Sequence, residues 1–127
     1  MSPCSSCSQP GILAPLAAFG RSLTFRLKPQ ADPRPALARL QSGFDPSAGV
    51  VGLGEPLLRL LGAPMPGLRG FPALSGPGCS VPSTQQALWV FLRGDGRSAT
   101  FDASQHVGAL LEEAFERDDA VDTFQYR

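Results

Sequence analysis

Between two turn signals the chain runs Ala87-Leu88-Trp89-Val90-Phe91-Leu92-Arg93, and this stretch limits the fold more than any other. At the period of two of an extended strand, Leu88, Val90 and Leu92 fall on one face and Trp89 and Phe91 on the other. Both faces are apolar, so both need cover. A single layer of helices covers only one.

The rest of the chain supplies elements around this strand. From Ser22 to Lys28, Leu23, Phe25 and Leu27 alternate with polar residues, the pattern of a half-buried strand. Asp32 and Pro33 read as the N-cap and first residue of a helix. Leu37, Leu40 and Phe44 line one face of that helix, and Gly43 lies near its end. Val50 to Leu53 is a short second strand, and Glu55 to Gly62 a brief helix. Residues 63–82 hold five prolines and four glycines and read as one long loop. The spacing of Val107, Leu110, Leu111, Ala114 and Phe115 predicts the main core helix over 103–117, capped by Asp102 or Ser104. Ala120 to Tyr126 returns to strand character.

The order is therefore strand, helix, strand, insert, strand, helix, strand. That is the α+β, ferredoxin-like βαββαβ arrangement, a four-stranded antiparallel sheet with helices on one face. Residues 19–127 are expected to form this domain. Residues 1–18, ending in Gln9-Pro-Gly-Ile-Leu-Ala-Pro15, form a leader too rich in proline for a regular element. With 14 glycines and 13 prolines in 127 residues, a coiled coil or simple helical bundle is excluded.

Charge and cysteine narrow the function. Eleven basic residues balance eleven acidic ones, so a nucleic-acid-binding or membrane-binding surface is not expected. The balance is uneven along the chain, with seven of the acidic residues in the last thirty. Glu112, Glu113, Glu116, Asp118, Asp119 and Asp122 read as the solvated face and end of a helix rather than a catalytic pair. No stretch has the length of a membrane span and the start is not a secretory signal, so the expected location is cytoplasmic. Three cysteines, Cys4, Cys7 and Cys79, do not make a disulfide framework. Cys4 and Cys7 have C-x-x-C spacing, but no second pair completes a metal site.

Chemistry-bearing motifs are few. No phosphate-binding loop, zinc-protease or nucleophile-elbow motif occurs. Gly52-Leu53-Gly54-Glu55 precedes a helix, yet Pro56 removes a donor and Glu55 has the wrong sign to hold an anion. His106 stands alone, beside an apolar stripe. No catalytic, cofactor-binding or metal-binding residue is assigned.

One longer series is more specific. Gln9-Pro-Gly-Ile-Leu-Ala-Pro15 precedes the first strand, and Val50-Val-Gly-Leu-Gly54 leads into a leucine-rich turn of helix. Then come Gly67-Leu-Arg-Gly-Phe-Pro-Ala-Leu-Ser-Gly76, Val81-Pro-Ser-Thr84, Ala87-Leu-Trp89 and Leu92-Arg-Gly-Asp95. In this order the set resembles the N-terminal half of a dye-decolourising (DyP-type) haem peroxidase of the compact bacterial subgroup, from about Gln9 to Tyr126. The resemblance implies two tandem ferredoxin-like domains, haem b and hydrogen peroxide. It also implies a G-x-x-D-G motif carrying the distal aspartate, a distal arginine further on, and a histidine ligand from the C-terminal domain. No G-x-x-D-G occurs among the 127 residues, and His106 does not match the family's haem histidine. No family site residue is carried over.

Two functions follow as expectations. The first is the N-terminal domain of a DyP-type peroxidase, lacking the haem-site motifs and inactive alone, whose partner is a C-terminal haem domain. The second is a stand-alone binding or assembly module that pairs with a second copy of itself through its sheet, giving an oligomer.

Overall fold

A computed structural model describes residues 8–126. Cys4 and Cys7 lie outside the described residues. Four strands form the main sheet: β1 (Phe19–Leu27), β2 (Gly49–Leu53), β5 (Leu88–Gly94) and β6 (Phe115–Phe124). Their order is β2-β5-β1-β6, and every pairing is antiparallel. Helices α2 (Arg34–Gly43) and α4 (Arg97–Leu111) connect β1 to β2 and β5 to β6. This is the ferredoxin-like α+β arrangement, with both crossover helices on one face.

Cross-strand register explains the core. Leu23 stands opposite Val90 and Ala120, Phe25 opposite Leu88, and Val51 opposite Val90. Neighbours across a ladder share a face, so these side chains form one apolar layer. Ala36 and Leu40 of α2 and Val107 and Leu111 of α4 close over it, leaving Leu23, Val90 and Leu111 with no exposed surface. Burial of each such side chain is worth roughly 1.5–3 kcal/mol. His106 Nε2 lies 3.0 Å from the Gly43 carbonyl oxygen and ties α4 to the end of α2.

Several boundaries differ from the sequence reading. The main helix is Arg97–Leu111, not 103–117, and its N-cap is Gly96, so Asp102 and Ser104 sit inside it and cap nothing. Ser104 Oγ instead donates back to the Phe101 carbonyl at 2.7 Å. Ala114 and Phe115 continue the apolar rhythm but are not helical: Phe115 starts β6. The final strand therefore begins five residues before Ala120. α2 starts at Arg34 with Pro33 as its N-cap, one residue later than expected. The Asp32 carboxylate still accepts the Arg34 N–H at 3.1 Å.

The leader and the long loop also hold more order than their composition suggested. Proline at the first turn starts a single helical turn, α1 (Pro10–Leu13). α3 (Glu55–Leu60) follows β2 as expected. Within residues 63–82 a small hairpin forms between β3 (Leu74–Gly76) and β4 (Cys79–Val81). All of residues 62–84 are exposed, so this arm projects from the domain instead of folding over the sheet.

Candidate functional site

The sheet face away from the helices is the feature with functional content. Trp89 and Phe91 lie on it, as the alternation of β5 requires. Their rings stack with centroids 5.9 Å apart and planes at 28°. The indole N–H of Trp89 donates to Ser22 Oγ at 2.8 Å, which fixes the ring across β1. Even so, 41% of Trp89 remains exposed. Val121 on β6 stands across the ladder from Ser22 and extends the apolar surface.

At one end of this face the leader crosses the strands. Arg93, the next outward residue on β5, donates from Nη2 to the Gly11 carbonyl at 2.8 Å and from Nη1 to the Pro15 carbonyl at 3.1 Å. Between the leader and the end of β6 lies a groove of about 270 Å³, walled by Leu16, Phe19, Phe91, Arg93, Thr123 and Phe124. Its lining is mostly apolar, and the one charge in it is already bonded to main-chain carbonyls. Such a surface suits an apolar partner better than an anionic ligand.

The residues weighed for chemistry do not converge. His106 is exposed on α4, the helical layer, away from the open face. Only Glu112 and Glu113 adjoin the helix; Glu116, Asp118, Asp119 and Asp122 belong to the edge strand β6, which corrects the reading of all six as helical. Several are ion-paired: Glu113 with Arg39 at 2.6 Å, Asp118 with Arg26 at 2.8 Å, and Asp122 with Arg21 at 2.7 Å. The Arg21 hydrogen bond holds the Asp122 carboxyl below the usual range. The Arg21 guanidinium also lies 5.5 Å from the Phe101 ring centroid. Glu55, the first residue of α3, faces Arg59 at 3.5 Å. Cys79 is a free, exposed thiol on β4. Among the described residues no cluster of three His, Cys, Asp or Glu is placed to hold a metal ion.

The sequence places Gln9, Gly11 and Arg93 in the ordered motif series but does not reveal their role. Their partners lie 42 and 82 residues away, so no local pattern reveals the contacts.

No protein-family profile matches the chain, and no curated protein matches it. Solved structures do. The DypB of Rhodococcus jostii RHA1, as a variant in complex with heme, matches with a TM-score of 0.74 and 26% identity over 93% of this chain and 43% of its own. A second crystal form of DyPB from the same organism gives 0.73 and 25%, over 91% of this chain and 42% of that one. The encapsulated DyP-type peroxidase from Mycobacterium smegmatis gives 0.70 at 19% identity, over 94% and 42%, a likeness of fold. The class is thus the ferredoxin-like α+β domain, and the chain resembles a half-length portion of DyP-type peroxidases. It spans less than half the length of the peroxidases it matches.

Haem is the cofactor that this likeness suggests, and the residues at the open face do not fit it. Haem iron needs an axial His, Cys, Met or Tyr. None of these lines the groove, where Arg93 is the only basic side chain. The single histidine is on the opposite layer.

Proposed function

We propose that this chain is the N-terminal ferredoxin-like domain of a DyP-type haem peroxidase, and that its role is to wall and complete the fold around a haem held by another domain. The observation that carries the reading is the open sheet face. Trp89, Phe91 and Val121 present an apolar surface that the crossover helices α2 and α4 cannot reach, because both occupy the other side. Soluble monomers seldom leave such a patch bare. The ordered motifs and the structural likeness, at 25–26% identity to DypB, support a haem-bearing DyP domain as its cover. No helix among the described residues is long and apolar enough to cross a membrane. A free exposed Cys79 suits a reducing compartment, so we place the protein in the cytoplasm.

The chain's own residues then bind and shape. Trp89 and Phe91 supply the contact surface, and Arg93 holds the leader at its rim. On this reading no iron ligand and no distal proton-transfer group comes from the described residues of this chain. Peroxide turnover by the 127-residue protein with added haemin should therefore equal that of free haemin. Turnover well above that control, abolished by His106→Ala, would overturn the proposal and make His106 a ligand. The same face also fits a second copy, which is the reading of a self-pairing module. A defined dimer that takes up no haem, even with a haem-bearing DyP domain supplied, would favour that reading.

A further inference from the structure

The two edges of the main sheet are closed by different means, and together they direct where the molecule can associate. In the β2–β5 ladder, Ala48 accepts from the Arg93 N–H and the Gly54 N–H donates to Ala87. Antiparallel ladders alternate bonded and non-bonded pairs, so Val50 and Gly52 bond β5 while Gly49, Val51 and Leu53 turn their main-chain groups outward. An outward row of this kind is a template for a foreign strand.

Here the middle rung of the row is already used. The Gln9 side-chain amide accepts the Val51 N–H at 2.9 Å and donates to the Val51 carbonyl at 2.7 Å, imitating one rung of a neighbouring strand. One turn on, Gly11 lies so close to Gly49 that a Cβ there would come within 2.4 Å of the Gly49 carbonyl oxygen. Arg93 fastens the Gly11 and Pro15 carbonyls from the open face.

The other edge, β6, is interrupted from within. The Gln125 N–H donates to the Ala18 carbonyl, and by the same alternation the Ala120 main-chain groups face away from β1. The Asp119 carboxylate accepts that outward Ala120 N–H at 2.9 Å. The register also shifts at the β1 step from Thr24 to Phe25, a bulge that breaks the regularity of the edge.

We infer that Gln9 and Asp119 are edge guards: side chains that occupy the outward Val51 rung of β2 and the outward Ala120 N–H of β6, and so disfavour strand addition at both edges relative to association at the open face. This stands on the hydrogen bonds alone and is independent of the peroxidase reading. Amide hydrogen exchange in the 127-residue chain tests it. Gln9→Ala should speed exchange of the Val51 amide tenfold or more, with the buried central-strand Leu23 amide unchanged. The Gln9→Ala, Asp119→Ala double variant should also form open-ended, thioflavin-positive species that the parent does not. Unchanged Val51 exchange in Gln9→Ala, or equal acceleration at Leu23, would overturn the assignment. So would a double variant with the parent's size distribution and no thioflavin signal.

Discussion

Gly20 lies directly beneath the ring of Phe91: a Cβ at position 20 would stand 2.6 Å from Phe91 Cζ and 2.5 Å from Thr123 Oγ1. The open face is therefore fitted to its aromatics, since Phe91 can lie across β1 only where β1 carries no side chain. Once there it stacks on Trp89, and the two rings form one continuous surface.

Gly20→Ala should displace the Phe91 ring and destabilise the domain by about 1–3 kcal/mol, the usual cost of overpacking. Alanine's better strand preference works the other way by roughly 0.5–1 kcal/mol. Urea denaturation followed by Trp89 emission reads both effects. A variant as stable as the parent, with unaltered emission, would show that Phe91 moves aside freely.

Leu111 ends α4 with no exposed surface, at the centre of the core. Leu111→Ala should cost about 2–5 kcal/mol through lost burial and the cavity left behind. Glu113 is exposed and its ion pair with Arg39 is a surface one. Glu113→Ala should change stability by no more than about 1 kcal/mol. Comparable losses in the two variants would contradict the packing of α4 described above.

Asp122 gives the fold an acid-sensitive element. Its carboxyl is held below its ordinary value of 3.8, chiefly by the Arg21 hydrogen bond. A depressed carboxyl stabilises the folded state above the unfolded pKa, and that contribution is lost as pH falls through the folded one. Thermal unfolding between neutral pH and the acid side of the carboxylate range should show a decline that Asp122→Asn partly flattens. Identical pH profiles for the two proteins would show that the Arg21–Asp122 bond does not persist in solution.

What could be read from the sequence was whatever depended on near neighbours. The alternation of Leu23, Phe25 and Leu27 marks β1, and the two-faced β5 run demands cover on both sides. Val107, Leu110 and Leu111 mark α4. The helix ends were less legible. Gly96 caps α4 without a side-chain hydrogen bond, which leaves no Ser, Thr, Asp or Asn signature at the true start. At the other end Ala114 and Phe115 keep helical spacing by coincidence, because the core beside α4 is also the core under β6. The site was legible only as an aromatic face. Its rim depends on Arg93 reaching Gly11 and on Gln9 reaching Val51, contacts that exist only once the sheet has formed.

On the function proposed above, the Trp89–Phe91 face is a docking surface for a partner domain. Multi-angle light scattering of the 127-residue chain at tens of micromolar, with acrylamide quenching of Trp89, decides whether the face associates. The expected result is a mass above that of the monomer, a Trp89 shielded from quencher, and reversion to monomer with an accessible indole in Phe91→Lys. A monodisperse monomer at the same concentration would contradict it, because a bare apolar face that attracts nothing is not an interface.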